Sequence, residues 1–85
     1  MIGTNLEAAR IEETILHRAN LEGANLRSSF AYQADFTGAN LTGAMLMYAD
    51  IEEAIFDGAN LTNANLGTAI LNSASLRNAN LTGAD

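Results

Sequence analysis

The chain has 85 residues, a net charge of −6 and no cysteine. This length fits one small domain, whose core would be marginal if it packed as an ordinary globule. The lack of cysteine excludes disulfides and thiolate metal sites, and four arginines without lysine argue against direct nucleic-acid binding.

A five-residue repeat runs through the chain after a short lead-in at residues 1–3. From residue 4 to residue 85 it continues without insertion or deletion. Each repeat has a small residue, a mostly polar residue and a bulky apolar residue, and the small residue is Ala except at Thr4, Thr14 and Ser29. The bulky positions, which we predict to form the core, are Leu6, Ile11, Leu16, Leu21, Leu26, Phe36, Leu41, Leu46, Ile51, Phe56, Leu61, Leu66, Leu71, Leu76 and Leu81, with the smaller Ala31 between Leu26 and Phe36.

A period of five fits neither a helix nor a flat strand. On an α-helix five residues advance about 500°, so the bulky residues would spiral around the axis. On a strand they would alternate between opposite faces. The pattern is consistent if the chain turns a corner about every five residues, with four sides closing one coil and coils stacking ~4.8 Å apart. We therefore predict one all-β solenoid domain at residues 4–85.

Two other positions of the repeat support this stacking. The residue before the bulky one reads Asn20, Asn40, Asn60 and Asn80 at intervals of twenty, so we expect stacked amides that bond their neighbours. Glycine recurs at the last position of the repeat, which predicts a turn there. These glycines are Gly23, Gly38, Gly43, Gly58 and Gly83.

Three repeats carry a family resemblance. Residues 39–43 and 79–83 read Ala-Asn-Leu-Thr-Gly, and residues 19–23 read Ala-Asn-Leu-Glu-Gly. The chain resembles the pentapeptide-repeat family over residues 4–85. The resemblance implies a right-handed quadrilateral β-helix (β-solenoid) of about four coils, with the bulky and small residues inside. It also implies a binding role, since known members act by binding proteins and many have no assigned activity.

Apolar residues at outward positions form a candidate partner surface. They are Phe30, Tyr32, Met45, Met47, Tyr48 and Ile70. Met45, Met47 and Tyr48 share one side of the third coil, and Phe30 and Ile70 belong to the next side. If they meet at the corner the patch is contiguous, and contiguous apolar patches usually mark contact surfaces. Alternatively, scattered apolar residues pack only against their neighbours on the same β ladder.

Acidic residues form a second candidate surface, an acidic stripe. They are Glu12, Glu13, Asp50, Glu52 and Glu53. The two Glu pairs fall on one side, two coils or roughly 10 Å apart. A solvated face that keeps the protein soluble explains this pattern. Alternatively, the stripe mimics nucleic-acid phosphates for a basic groove, as the resemblance to quinolone-resistance members that bind DNA gyrase implies.

The sequence gives little support for catalysis or metal binding. His17 is the single histidine, and we predict an ordinary surface residue. No serine lies beside a credible base with an orienting carboxylate, and no spacing supplies a closed set of metal ligands. We therefore predict a non-enzymatic protein without a cofactor.

The expected role is a protein-interaction scaffold whose protein partner is unknown. No stretch approaches the ~20 apolar residues of a membrane span and no export leader is visible, so we expect a cytoplasmic protein without membrane contact. Open solenoid ends need caps. The absence of visible caps in this sequence has three explanations: the chain is a piece of a longer repeat protein, it forms an end-to-end or side-by-side homodimer, or it is an idealised designed chain. We favour the first. Competing functions are an acidic DNA mimic directed at gyrase and a purely structural spacer.

Overall fold

The computed structural model describes residues 3–85. Within that range there is no helix, and the strands are reduced to single paired residues, one in every five from Asn5 to Asn80. Each bridge is parallel and joins residues twenty positions apart, as in Asn5 with Asn25 and Asn60 with Asn80. Five-residue segments twenty residues apart therefore stack on one another. We call each stack a column and each twenty-residue level a layer.

The four columns are named in chain order by their bulky residues. Column 1 holds Leu6, Leu26, Leu46 and Leu66; column 2 holds Ile11, Ala31, Ile51 and Leu71; column 3 holds Leu16, Phe36, Phe56 and Leu76; column 4 holds Leu21, Leu41, Leu61 and Leu81. The interval of twenty is the one expected from five-residue sides arranged in fours.

Backbone hydrogen bonds hold successive layers together. Leu41 N–H donates to Asn60 O at 2.7 Å, and Gly43 N–H donates to Thr62 O at 2.8 Å. The residue before Leu41 donates in the opposite direction, to the preceding layer. The same bonds recur along residues 3–85, so the layers satisfy one another's backbone groups as strands do in a sheet.

A β-turn follows every bulky residue in residues 3–85. Ala44 N–H, for example, donates to Leu41 O at 2.9 Å. The third turn residue has positive φ, which glycine adopts at low cost, and the five glycines predicted to lie in turns occupy this position. Non-glycine residues hold the same conformation at Ala8, Glu13, Arg18, Ser28, Gln33, Tyr48, Glu53, Asn63, Thr68, Ser73 and Asn78.

The core runs through the middle of the stack. The bulky residues of the inner layers are fully buried, namely Leu21, Leu26, Phe36, Leu41, Leu46, Ile51, Phe56 and Leu61. Those nearer the ends are half-buried, namely Leu6, Ile11, Leu16, Leu66, Leu71 and Leu76. The prediction that Leu81 belongs to the core was wrong: it is 42% exposed, because the last layer is covered from one side only.

Column 2 has a local weakness in the core. Ala31 occupies a bulky position and is buried, as is the neighbouring Ser29. The Ser29 hydroxyl has no hydrogen-bond partner among residues 3–85. A buried polar group without a partner costs about 1–3 kcal/mol, so this column gains less from burial than the others.

The asparagines of column 4 stack in the predicted register but bond differently. Asn40 pairs with Asn60 through the backbone. Asn60 Oδ1 accepts hydrogen bonds from Thr62 N–H at 3.0 Å and Thr62 Oγ1 at 2.5 Å, and within residues 3–85 no hydrogen bond joins one amide to the next. The expectation of amide-to-amide bonds was wrong because an Asn side chain reaches the N–H two residues on, forming an Asx turn.

The first described residue, Gly3, already follows the hydrogen-bond pattern of the repeat. Met1 and Ile2 of the predicted lead-in lie outside the described residues. Gly3 N–H donates to Glu22 O at 2.8 Å, the bond that Gly23 N–H makes to Thr42 O. The molecule measures 25 × 24 × 22 Å, so it is about as wide as it is tall. Residues 3–85 hold no helix with the length and apolarity of a transmembrane span.

Candidate functional site

Exposed apolar side chains gather where column 1 meets column 2. Tyr48, at the end of its column 1 segment, is 63% exposed. In column 2, Ile70 is 45%, Phe30 41% and Tyr32 38% exposed. Since the core is already filled by the inward positions, these side chains are available for contact with another molecule.

Met45 and Met47 extend this surface across column 1 and are half-buried. Met47 lies beside Gly67, whose Cβ, if present, would be 3.9 Å from Met47 Cγ. In the layers before and after, Asn25 and Asn65 occupy the position equivalent to Met45. Each accepts a hydrogen bond from the N–H two residues further along the chain, at 3.1 and 2.9 Å. Met45 cannot make that bond, so here the chain replaces a turn-stabilising amide with an apolar side chain.

A carboxylate stands in the middle of the apolar surface. Asp50 bridges to Phe30 on one side and to Ile70 on the other. Along column 2 the apolar residues Phe30 and Ile70 are therefore separated by a carboxylate. Asp50 Oδ1 accepts a hydrogen bond from Glu52 N–H at 3.3 Å, which holds the carboxylate against its own turn.

Phe30 makes a cation–π contact with Arg10. The guanidinium of Arg10 lies over the Phe30 ring, with its central carbon 5.1 Å from the ring centroid. Arg10 also forms a salt bridge to Glu12 at 3.6 Å. An aromatic face attracts cations electrostatically, so the Phe30 ring contacts a charge pair from the layer before it in column 2.

The acidic stripe forms a shared negative field on column 2. Glu53 accepts hydrogen bonds from Gln33 Nε2 at 2.9 Å and from the Tyr32 hydroxyl at 3.3 Å. The charge of Glu53, followed by desolvation and this hydrogen bond, raises the pKa of Tyr32, and Glu52 and Glu13 add to the effect. Carboxylates of different layers therefore act on one phenol.

Column 3 contains an interaction that the sequence did not predict. His17 Nε2 lies 2.6 Å from Asp35 Oδ2. Thr37 donates to Asp35 Oδ1 from its N–H at 3.0 Å and from its hydroxyl at 2.5 Å. The hydrogen bonds from Thr37, and next that from His17, lower the pKa of Asp35. Stacking at twenty residues pairs His17 with Thr37, whereas the actual partner is the diagonal neighbour eighteen residues on.

The described surface offers binding chemistry. Residues 3–85 enclose no pocket, and no three carboxylates or histidines within them come together as metal ligands. What the surface presents is apolar side chains, aromatic rings and carboxylates on exposed columns. These groups contribute to recognition through apolar burial and charge complementarity.

Comparison with known proteins gives the family. The model for pentapeptide repeats matches residues 1–27, 31–63 and 53–85, in eight copies. The chain belongs to the pentapeptide repeat family, whose members form right-handed β-helices and are generally non-enzymatic scaffolds.

Two solved structures from cyanobacteria are similar to the chain. The pentapeptide repeat protein Rfr23 from Cyanothece 51142 has a TM-score of 0.86 and 32% identity, covering 89% of this chain and 52% of Rfr23. The pentapeptide repeat protein alr5209 from Nostoc PCC 7120 has a TM-score of 0.86 and 40% identity, covering 88% of this chain and 62% of alr5209. The chain thus spans less than two-thirds of each. Among curated proteins, none matches it.

Proposed function

We propose that the chain is a protein-interaction scaffold without catalytic activity, binding a protein partner at the corner of columns 1 and 2. Its shape is a quadrilateral coil of about four turns, with residues 4–85 as one solenoid domain. The pairing interval of twenty residues and the turn after every fifth residue support this shape.

The observation that carries the proposal is the exposure of large apolar side chains at this corner. Tyr48 and Ile70 have large exposed fractions although the core beneath them is filled. Burying apolar surface contributes about 25 cal/mol per Å², and Tyr, Phe and Met are enriched at the centres of interfaces. A partner that covers the corner therefore gains binding energy that this chain alone leaves unused.

Affinity capture from a lysate, run with matched variants, tests the proposal. Met45→Asn with Tyr48→Asn removes apolar surface, and both turns tolerate Asn, which occurs at equivalent positions in Asn25 and Asn78. We expect this variant to stay folded by circular dichroism and to lose the captured protein. Ile15→Asn, which removes an exposed apolar residue from column 3, should retain it. Equal capture by all three chains would contradict the proposal.

The second candidate is an acidic mimic that binds DNA gyrase. The raised pKa of Tyr32, caused first by Glu53 and also by Glu52 and Glu13, supports it, because carboxylates of separate layers create one negative region. Changing Glu12, Glu13, Glu52 and Glu53 to Gln would abolish capture of gyrase in this case. Capture of no protein at all would favour the spacer.

A further inference from the structure

We infer that the partner surface recognises a basic amphipathic helix, lying parallel to the solenoid axis over the ladder of Phe30, Asp50 and Ile70. This deepens the proposed function and rests on it. The inference depends on the order of side chains along the whole ladder, which reads Arg10, Phe30, Asp50 and Ile70. Arg10 forms a salt bridge to Glu12, and the three residues beyond it are apolar, acidic and apolar. The inference also depends on the residues that flank the ladder on both sides.

The ladder matches the spacing of one stripe on an α-helix. Paired residues of adjacent layers are ~4.8 Å apart, so Phe30 and Ile70 are separated by roughly 10 Å with Asp50 midway. A helix rises about 1.5 Å per residue, so its residues i and i+7 are about 10.5 Å apart, with i+3 and i+4 between them. A helix parallel to the axis can therefore place apolar residues on Phe30 and Ile70 and a basic residue on Asp50.

The side chains on the two sides of the ladder differ in polarity, so they would orient a helix that lies over it. On the column 1 side lie Tyr48 and Met47, which present apolar surface. On the other side lie Glu52 and Glu53, whose charges act on Tyr32. A helix that is apolar towards column 1 and basic towards the carboxylates complements both flanks, and such helix faces bind grooves and surfaces through residues at i, i+3, i+4 and i+7.

Column 3 provides a comparison within the same molecule. Ile15, Asp35 and Ile55 repeat the order of apolar, acidic and apolar residues on one ladder. There Asp35 already bonds His17 at 2.6 Å. Within residues 3–85, by contrast, no cationic side chain bonds Asp50. In column 3 the carboxylate of Asp35 is therefore already bonded to His17, while in column 2 the carboxylate of Asp50 can still bond a cation from a partner.

The energetic advantage of this arrangement comes from the apolar surroundings of Asp50. A helix that covers Phe30 and Ile70 displaces water from the carboxylate between them. A charge-assisted hydrogen bond from Lys or Arg then forms in a lower dielectric, where it is stronger than in water. Leaving Asp50 covered without a cation would cost its desolvation, so the surface selects basic helices over neutral or acidic ones.

A designed helical peptide of about 15 residues tests the inference, since this length spans the height of the molecule. The peptide carries Leu at i and i+7, Arg at i+3 and on one flank, and a fluorophore for anisotropy. One control peptide has the same residues shuffled, and another has Glu in place of Arg. We expect the basic amphipathic peptide to bind at least ~10-fold more tightly than either control, and added salt to weaken it.

Variants of the protein locate the binding. Ile70→Asn and Asp50→Asn should each weaken binding of the peptide about 10-fold. Both variants place Asn at a position where seven of the sixteen repeats already carry it. The matched controls Ile15→Asn and Glu22→Gln, on columns 3 and 4, should leave binding unchanged. Thermal unfolding checks that all four variants remain folded.

Several outcomes overturn the inference. Equal binding of the shuffled peptide, or an unchanged affinity in Asp50→Asn, excludes recognition of a basic helix on this ladder. If the peptide loses affinity only when Glu12, Glu13, Glu52 and Glu53 are all changed to Gln, and not in Ile70→Asn, the acidic mimic is favoured. If the peptide does not bind but protein capture still requires Met45 and Tyr48, the helix inference fails and the interaction function stands. If that capture does not require them, the interaction function itself fails.

Discussion

The rings of Phe36 and Phe56 stack in the core with their centroids 4.8 Å apart and their planes within 3° of parallel. Both belong to column 3 and are twenty residues apart, so the distance between the rings is the distance between layers. Ring centroids at this separation lie in the range over which aromatic pairs attract one another. The pair therefore ties the packing of the core directly to the register of the backbone.

Removing one of these rings should strongly destabilise the protein. Phe56→Ala leaves a cavity in a fully buried site, and we expect a loss of about 3–5 kcal/mol in the free energy of unfolding. Phe56→Leu should cost less than about 1.5 kcal/mol because it conserves most of the volume. Leu81→Ala, at a residue that is 42% exposed, should cost about 1 kcal/mol or less. Denaturant unfolding measures all three, and similar losses at Phe56 and Leu81 would contradict the described core.

Two turn residues should respond to substitution with opposite signs. Thr68 is β-branched and has φ of +56°, a conformation that Asn tolerates better. We expect Thr68→Asn to stabilise the protein by about 0.5 kcal/mol, even though it removes the hydrogen bond from the Thr68 hydroxyl to Gly67 O. Gly43 has φ of +68° with open space around a built Cβ, so Gly43→Ala should cost about 1 kcal/mol through the backbone alone. Thermal unfolding with the same sign for both would contradict the described turns.

The pH dependence of stability should reveal the bonds of Asp35. Its pKa is lowered in the folded protein, by Thr37 first and then by His17. This stabilisation is present above the unfolded pKa of about 4 and is lost as the pH falls through the folded pKa. We expect Asp35→Asn to be less stable than the parent by about 1 kcal/mol at neutral pH, and the difference to shrink as the pH falls through the lowered pKa of Asp35.

Urea unfolding at a series of pH values measures this difference. Glu22→Gln serves as the control, since Glu22 lies exposed on column 4. A difference between Asp35→Asn and the parent that stays constant across the acid range would mean that the charge of Asp35 contributes nothing.

The pKa of Tyr32 reports the electrostatic effect of the acidic stripe. In a Tyr48→Phe background Tyr32 is the only tyrosine of the chain. We expect Glu53→Gln to lower the pKa of Tyr32 towards its ordinary value, because Glu53 is the largest cause of the increase. Absorbance of the phenolate against pH measures the change. Glu22→Gln should leave the titration unaltered, and an unaltered titration in Glu53→Gln would contradict the contact between Tyr32 and Glu53.

The candidate surface shows where reasoning from stacking alone stops. The interval of twenty residues already places Asp50 between Phe30 and Ile70, and the parallel bridges agree with it. The interval of twenty residues aligns His17 with Thr37, while the side chain of His17 reaches sideways to Asp35. Long polar side chains span more than one ladder position, so their partners depend on rotamers that the repeat does not specify.

The sequence by itself determined the repeat, the inward positions and the interval of stacking, because a five-residue period with one bulky residue is compatible with few backbone paths. Glycine marked some of the turns, yet residues such as Tyr48 and Glu53 adopt the same positive φ. Only the tertiary structure decided this. An inner segment such as residues 44–48 donates three backbone hydrogen bonds to the neighbouring layers and accepts three from them, and together these outweigh the local preference of a single residue. The tertiary structure likewise decided which outward side chains bond one another and which, like Tyr48, stay exposed, because those contacts join layers that are distant in sequence.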